Sequence, residues 1–167
     1  MTACLPRAWR PPAFLLLGTI LAGCGGSGGG KPPQQVAGPG FSFGAPGGWH
    51  VARSGELVSA GSGADLVQVA RFRLLKPYSD ALFRKVEKEL DVRMAAVAKQ
   101  TSGRLAGSRV VTAGGVRSHS YVVEADGRVD EYTFVLRGMR EYQLLCRRSS
   151  SESDDTCRLL VRSFRIT

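Results

Sequence analysis

Cysteine and histidine are the residues of this chain best suited to covalent or acid–base chemistry, and it contains four cysteines and two histidines. Cys24 stands directly after Leu21-Ala22-Gly23, at the end of an apolar run that begins at Ala13. Arg7 and Arg10 precede that run. A basic segment, a short apolar run and small residues before a cleavage point are typical of a secretory signal. The sulfur of Cys24 is therefore the first candidate for covalent modification.

The sequence Leu21-Ala22-Gly23-Cys24 resembles the lipobox of bacterial lipoproteins. The resemblance implies cleavage after a signal peptide of residues 1–23 and acyl chains, such as palmitate, on Cys24. An ordinary signal peptide followed by a chance cysteine is the alternative. The apolar run is about half of the roughly 20 residues that a spanning helix needs, which argues against a transmembrane segment. We expect a chain anchored by lipid to the extracytoplasmic face of a cell membrane.

Residues 24–40 are rich in glycine and proline, which predicts a flexible linker between Cys24 and a folded domain of residues 41–167. Gly25 to Lys31 also matches the start of a phosphate-binding G-x-x-x-x-G-K loop. Pro32 stands where that loop needs serine or threonine, so the match fails.

Cys146 and Cys157 are the two cysteines left in the domain, and they flank a polar loop. An even pair in an exported chain predicts a disulfide. Metal binding is not expected, because no Cys-x-x-Cys spacing or neighbouring histidine accompanies the pair.

His50 and His119 are the only candidates for an enzyme's general base, and no Gly-x-Ser-x-Gly or His-Glu-x-x-His motif occurs. On a strand, Ser118 and Ser120 would point away from His119. We expect both histidines to be ordinary surface or turn residues and Trp49 to pack in the core. A ligand groove formed by Trp49, His50 and His119 is the alternative. No catalytic residue, cofactor or metal is predicted.

The charge of the chain limits its partners. Without residues 1–23, which hold two arginines and no acidic residue, the formal charge is +7. For an exported protein this favours anionic lipid headgroups, acidic cell-wall polymer or an envelope protein over nucleic acid. A solvated basic surface with no partner is the alternative.

Hydropathy patterns predict an α+β fold, an antiparallel sheet covered by helices. Apolar residues recur at helical spacing over 79–99, with Leu82 and Phe83 in the stripe, and a short helix is expected at 154–164. The segments 41–43 and 49–52 predict a hairpin, and Gly114-Gly115, Asp126-Gly127 and Arg137–Arg140 predict turns. Strands are expected at 56–60, 66–75, 108–112, 116–124, 129–136 and 141–146.

Phe41-Ser42-Phe43 followed by Pro46-Gly47-Gly48-Trp49 resembles the opening of PsbP-like domains. The long helix, the turns at Gly114-Gly115 and Asp126-Gly127, and the ending Ser163-Phe164 fit the same plan. The resemblance implies an antiparallel sheet between helical layers and a protein that binds or assembles rather than catalyses. It also implies an exported or lipid-anchored protein, and it does not account for the cysteine pair. An envelope enzyme, such as a hydrolase, with an unrecognised site is the alternative.

Replacing the lipobox cysteine tests the predicted anchor. Cys24→Ala should leave the precursor uncleaved or release the chain from the membrane, because no sulfur remains to carry lipid. Membrane fractionation and the mass of the N-terminal peptide measure both outcomes. Normal cleavage together with membrane retention in this variant would contradict the prediction.

Overall fold

The computed structural model describes residues 31–167, so Cys24 and the predicted signal peptide lie outside the described residues. The 3-10 turn Asp80–Leu82 leads into the first helix. No helix of residues 31–167 is long and apolar enough to span a bilayer. In chain order the elements are β1 Gln34–Gly38, β2 Phe41–Ala45, β3 His50–Ser54, β4 Leu57–Ser62, β5 Asp65–Tyr78, α1 Phe83–Gln100, β6 Arg104–Ala113, β7 Val116–Ala125, β8 Arg128–Ser149, α2 Asp155–Ser163 and β9 Arg165–Ile166.

The strands form two antiparallel sheets, which confirms the predicted α+β fold. The large sheet has the order β3-β4-β5-β8-β7-β6, and the small sheet has the order β1-β2-β9. Helix α1 packs on β6 and β7, whereas α2 packs on β2 and β8. One apolar core therefore joins the small sheet and α2 to one face of the large sheet. A second core lies between α1 and the other face.

Two features of the N-terminal part differ from the sequence-based expectation. Residues 34–38 belong to the folded domain and not to the linker, because β1 pairs with β2 and buries Val36. The predicted hairpin from 41–43 to 49–52 is also wrong. Strand β2 pairs with β1 and β9, while β3 pairs with β4 at the edge of the large sheet. The turn around Pro46 thus carries the chain from one sheet to the other.

Two tight turns predicted from sequence are confirmed. Gly114 and Gly115 connect β6 to β7, and both have positive φ angles, of 59° and 75°. Asp126 and Gly127 connect β7 to β8, with φ angles of 49° and 72°. Two successive residues with positive φ form the type I′ turn that suits the twist of antiparallel strands. These turns fix the register of β6, β7 and the start of β8.

Strand β8 reverses direction near its middle. Its 22 residues would extend roughly 70 Å if straight. Instead, the amide of Ser150 donates to the Gly127 carbonyl at 2.8 Å, and Arg147 Nε lies 2.8 Å from Asp130. Gly138 has a φ of 55°, as the first central residue of a type II′ turn requires. The predicted turn at Arg137–Arg140 is therefore confirmed, and β8 supplies two neighbouring strands.

Helix α1 presents the predicted apolar stripe to the sheet. Leu90, Met94 and Ala98 recur every four residues and are buried against the second core. Phe83 is also buried, at the first turn of the helix. Leu82 departs from the prediction and is 39% exposed, because it belongs to the preceding 3-10 turn and not to the α-helix.

The predicted disulfide between Cys146 and Cys157 is confirmed. It joins β8 to the first turn of α2, and both cysteines are 2% exposed within the first core. Leu160 and Phe164 continue the same buried face of α2. The bond therefore holds the short C-terminal helix against the sheet.

Removing this bond should lower stability markedly. The double variant Cys146→Ala with Cys157→Ala should lose roughly 3 kcal/mol of unfolding free energy, because the unfolded chain regains the entropy of the closed loop. For a domain of this size that corresponds to a Tm lower by roughly 10 °C. Thermal unfolding with and without a reductant measures the effect. Reductant should lower the Tm of the native protein and leave the Tm of the variant unchanged. If reductant does not change the Tm of the native protein, the prediction that the disulfide stabilises the domain is wrong.

Candidate binding cleft

An open cleft of about 840 Å³ lies where the start of α1 meets the turns of the large sheet. Tyr78 at the end of β5, the Gly114-Gly115 turn and the β8 turn form its walls. Phe83 and Arg117 line this cleft and also a neighbouring one of about 660 Å³. Asp80 also lines both, so the two clefts meet at these three side chains.

A three-layered stack builds this meeting point. The Cζ atom of Arg117 lies 4.0 Å from the centroid of the Phe83 ring. The Phe83 ring stacks in turn on the ring of His119, with centroids 3.9 Å apart and planes inclined by 27°. Arg117 and His119 share a face of β7 because they are two residues apart. The stack supports the guanidinium of Arg117 at the mouth of both clefts through a cation–π contact.

His119 is buried beneath Phe83, contrary to the expectation of a surface residue. It is 3% exposed, and its Nδ1 atom lies 3.9 Å from Oε1 of Glu87. Its Nε2 atom has no hydrogen-bond partner among residues 31–167. Burial lowers the pKa of His119, and the nearby Glu87 carboxylate opposes that effect without reversing it. The ring is therefore neutral at pH 7 and serves as the base of the stack.

The charged groups of the cleft are predominantly basic. Arg117 and Arg137 line it, and neither forms an ion pair with a carboxylate of the described domain. Asp80 is the acidic residue of the lining. Burial and the Asp80 charge raise the pKa of Tyr78, so its hydroxyl stays protonated and able to donate. The cleft thus offers two free guanidinium groups and a phenol to an anionic ligand.

The alternative groove of Trp49, His50 and His119 does not exist in this structure. His50 is exposed on the edge strand β3, and Trp49 packs on the first core, as expected. Strand β3 is separated from the His119 strand, β7, by β4, β5 and β8. Because β8 contributes two neighbouring strands, five inter-strand spacings separate β3 from β7. They amount to roughly 24 Å, too far for these side chains to share one ligand.

Sequence reasoning missed Phe83, Tyr78 and Arg117 as a site. The alternation of β7 does place Arg117 beside His119, and the helical stripe does include Phe83. No local pattern indicates that the start of α1 lies on this part of β7. That contact depends on the packing of the helix across the sheet.

Catalytic geometry is not apparent in the described domain. Neither histidine of residues 31–167 is hydrogen-bonded to a serine, threonine or cysteine side chain. The same residues contain no group of three histidine, cysteine or acidic side chains placed to hold a metal ion.

The comparisons with known proteins identify the fold. The solution structure of cyanobacterial PsbP (CyanoP) from Synechocystis sp. PCC 6803 matches 88% of this chain and 99% of its own, at a TM-score of 0.60 and 16% identity. A crystal structure from Bacteroides thetaiotaomicron VPI-5482 matches 80% of this chain and 48% of its own, at a TM-score of 0.48 and 12% identity. No sequence-family model and no curated protein matches the chain. The domain therefore has a PsbP-like fold.

Acidification should destabilise the domain through His119. An unfolded histidine takes up a proton near its ordinary pKa of about 6.5, whereas burial keeps His119 neutral to lower pH. The unfolded chain thus binds more protons, and the free energy of unfolding falls as the pH decreases from 6.5 to the native pKa. One proton contributes a slope of at most about 1.4 kcal/mol per pH unit.

Urea unfolding of the native protein and two variants between pH 7.5 and 5 measures this slope. His119→Gln should flatten it, while His50→Gln, at the exposed histidine, should leave it unchanged. An equal slope in His119→Gln and the native protein would show that another group is responsible.

Proposed function

We propose that this chain is a lipid-anchored protein of the cell envelope whose domain binds or scaffolds an anionic partner without catalysing a reaction. The observation that carries the proposal is the basic cleft, with Arg117 held on the Phe83–His119 stack and left without a carboxylate partner. The lipobox-like sequence at Cys24 supports the envelope location. The PsbP-like fold agrees with the resemblance seen in the sequence, which implies binding rather than catalysis.

The chemistry of the cleft suits recognition of carboxylate or phosphate groups. A guanidinium can donate two parallel hydrogen bonds to such a group, which gives both attraction and orientation. Stacking on Phe83 restrains Arg117, so less side-chain entropy is lost when an anion binds. A Cβ atom placed on Gly115 or Gly138 would have no other residue within 4 Å, apart from the chain neighbours. A ligand can therefore approach the backbone of both turns.

An envelope hydrolase is the alternative. It requires a base within hydrogen-bonding reach of a nucleophile and of the substrate. His119 lies beneath Phe83, and its Nε2 atom has no partner among the described residues. His50 lies on an exposed edge strand in another part of the sheet. These positions favour binding over hydrolysis.

Salt-dependent retention on immobilised acidic cell-wall polymer or on anionic vesicles tests the proposal. Purified full-length protein should bind at 0.1 M salt and be released at 1 M, as the Debye length falls from about 10 Å to about 3 Å. Arg117→Gln should weaken retention several-fold, since it removes an unpaired cation. Arg104→Gln is the matched control, because Arg104 is already paired with Glu124.

Retention that is indifferent to salt, or that is equal in the two variants, would contradict the role of the cleft. Turnover of an envelope substrate that is abolished by His50→Ala or His119→Ala would contradict the non-catalytic assignment.

A further inference from the structure

One end of the large sheet carries a group of basic and apolar side chains, here called the basic tip. It consists of Arg73, Leu75 and Lys76 of β5 and of Met139 and Arg140 at the β8 turn. Leu75 is fully exposed and Met139 is 37% exposed. The register of β5 and β8 shifts between Arg73 and Tyr78, so Leu75 and Lys76 bulge beside the turn that carries Met139. The tip adjoins the cleft through Arg137 and Gly138.

The cations of the tip differ from other arginines of the domain in their ion pairing. Arginines elsewhere are paired with acidic side chains: Arg71 with Glu56, Arg93 with Glu141, Arg104 with Glu124, Arg109 with Glu131, Arg128 and Arg147 with Asp130, and Arg158 with Asp154 and Asp155. Within residues 31–167, Arg73, Lys76 and Arg140 have no such partner. The tip therefore carries three cations without an ion-pair partner in the described domain, and the charge of Arg140 helps to lower the pKa of Glu56.

The tip also places like charges side by side. Arg73 lies directly opposite Arg140 in the register of β5 and β8. Like charges at opposed positions of neighbouring strands destabilise a sheet. A partner that supplies carboxylates between the two guanidinium groups would relieve this repulsion.

Exposed apolar side chains at the tip favour a protein over a polymer. Arginine and methionine are enriched at the centres of protein–protein interfaces, whereas a polyanion needs only charge. Leu75 and Met139 stand among the cations of the tip and can enter an apolar pocket of a partner. The complementary surface is therefore a carboxylate-rich rim around such a pocket.

The basic tip lies at the end of the sheet opposite the start of the described chain. Gln34 donates to the Trp49 carbonyl at 2.8 Å, so the described chain begins near the end of the sheet that carries Leu66. From Leu66 to Leu75, β5 extends roughly 30 Å. A lipid anchor at Cys24 would therefore attach to the end of the domain that lies away from the tip.

We infer that the basic tip is a docking surface for an acidic protein of the envelope. The guanidinium groups of the tip bind carboxylates of that protein, and Leu75 and Met139 contact it between them. The inference rests on the proposed binding function and names the partner class and the surface used. The adjoining cleft can receive an acidic side chain of the same partner through Arg117 and Arg137.

Site-specific photo-crosslinking of the full-length protein in its own membrane tests the inference. A photo-reactive amino acid replaces Leu75 at the tip or, as a control, Val92, which is 73% exposed on α1. We expect a protein adduct from position 75 and none from position 92. Peptide mapping should place the adduct in a segment rich in aspartate and glutamate. The double variant Arg73→Glu with Arg140→Glu should lower the yield by at least about tenfold.

The matched control for charge is Lys31→Glu with Lys99→Glu, which makes the same change in net charge away from the tip and should preserve the adduct. Adducts with lipid or polymer only, equal adducts from positions 75 and 92, or a yield unaffected by the tip variant would overturn the inference. Absence of any adduct at position 75 would overturn it as well. If a partner is crosslinked from other positions and not from the tip, the proposed binding function still holds, and only the assignment of the basic tip as the docking surface is rejected.

Discussion

The reversal at Gly138 allows one extended segment to supply two neighbouring strands of the large sheet. One half of β8 pairs with β7 and the other half with β5. Without this reversal the β6-β7 hairpin and the strands β3, β4 and β5 would not belong to one sheet. The surfaces that pack on α1 and α2 depend on that continuity. The same turn places Arg137, Met139 and Arg140 at the exposed end of the sheet.

The two ends of the large sheet differ in how their arginines are paired. Near the Asp126-Gly127 turn, each of several arginines has a carboxylate partner, and the buried Asp130 accepts from Arg147 at 2.8 Å. At the other end, Arg73 and Arg140 face each other without one. These two cations lie beside the exposed Leu75 and Met139, and this combination is the basis of the proposed docking surface.

The Arg117–Phe83–His119 stack links the core to this surface. His119 occupies a buried position at which burial favours the neutral ring. Phe83, at the first turn of α1, covers the ring and carries Arg117 on its other side. A change at His119 therefore affects both the packing of α1 and the position of the exposed guanidinium. The stability of the domain and the geometry of its cleft are coupled through these three side chains.

The sequence by itself determined the features that depend on neighbouring residues. Glycine and Asp-Gly positions specified the turns, and helical spacing specified α1. An even pair of cysteines in a chain that is predicted to be exported indicated the disulfide. The order of the elements predicted the α+β class, and the PsbP-like fold was indicated by the resemblance of Phe41–Trp49 and the later turns to that family. Only the tertiary structure decided that β2 pairs with β1 and β9, that His119 is buried, and that Arg73 and Arg140 meet. Strand partners, burial and ion pairing are settled by contacts between residues far apart in the chain, and no local spacing encodes them.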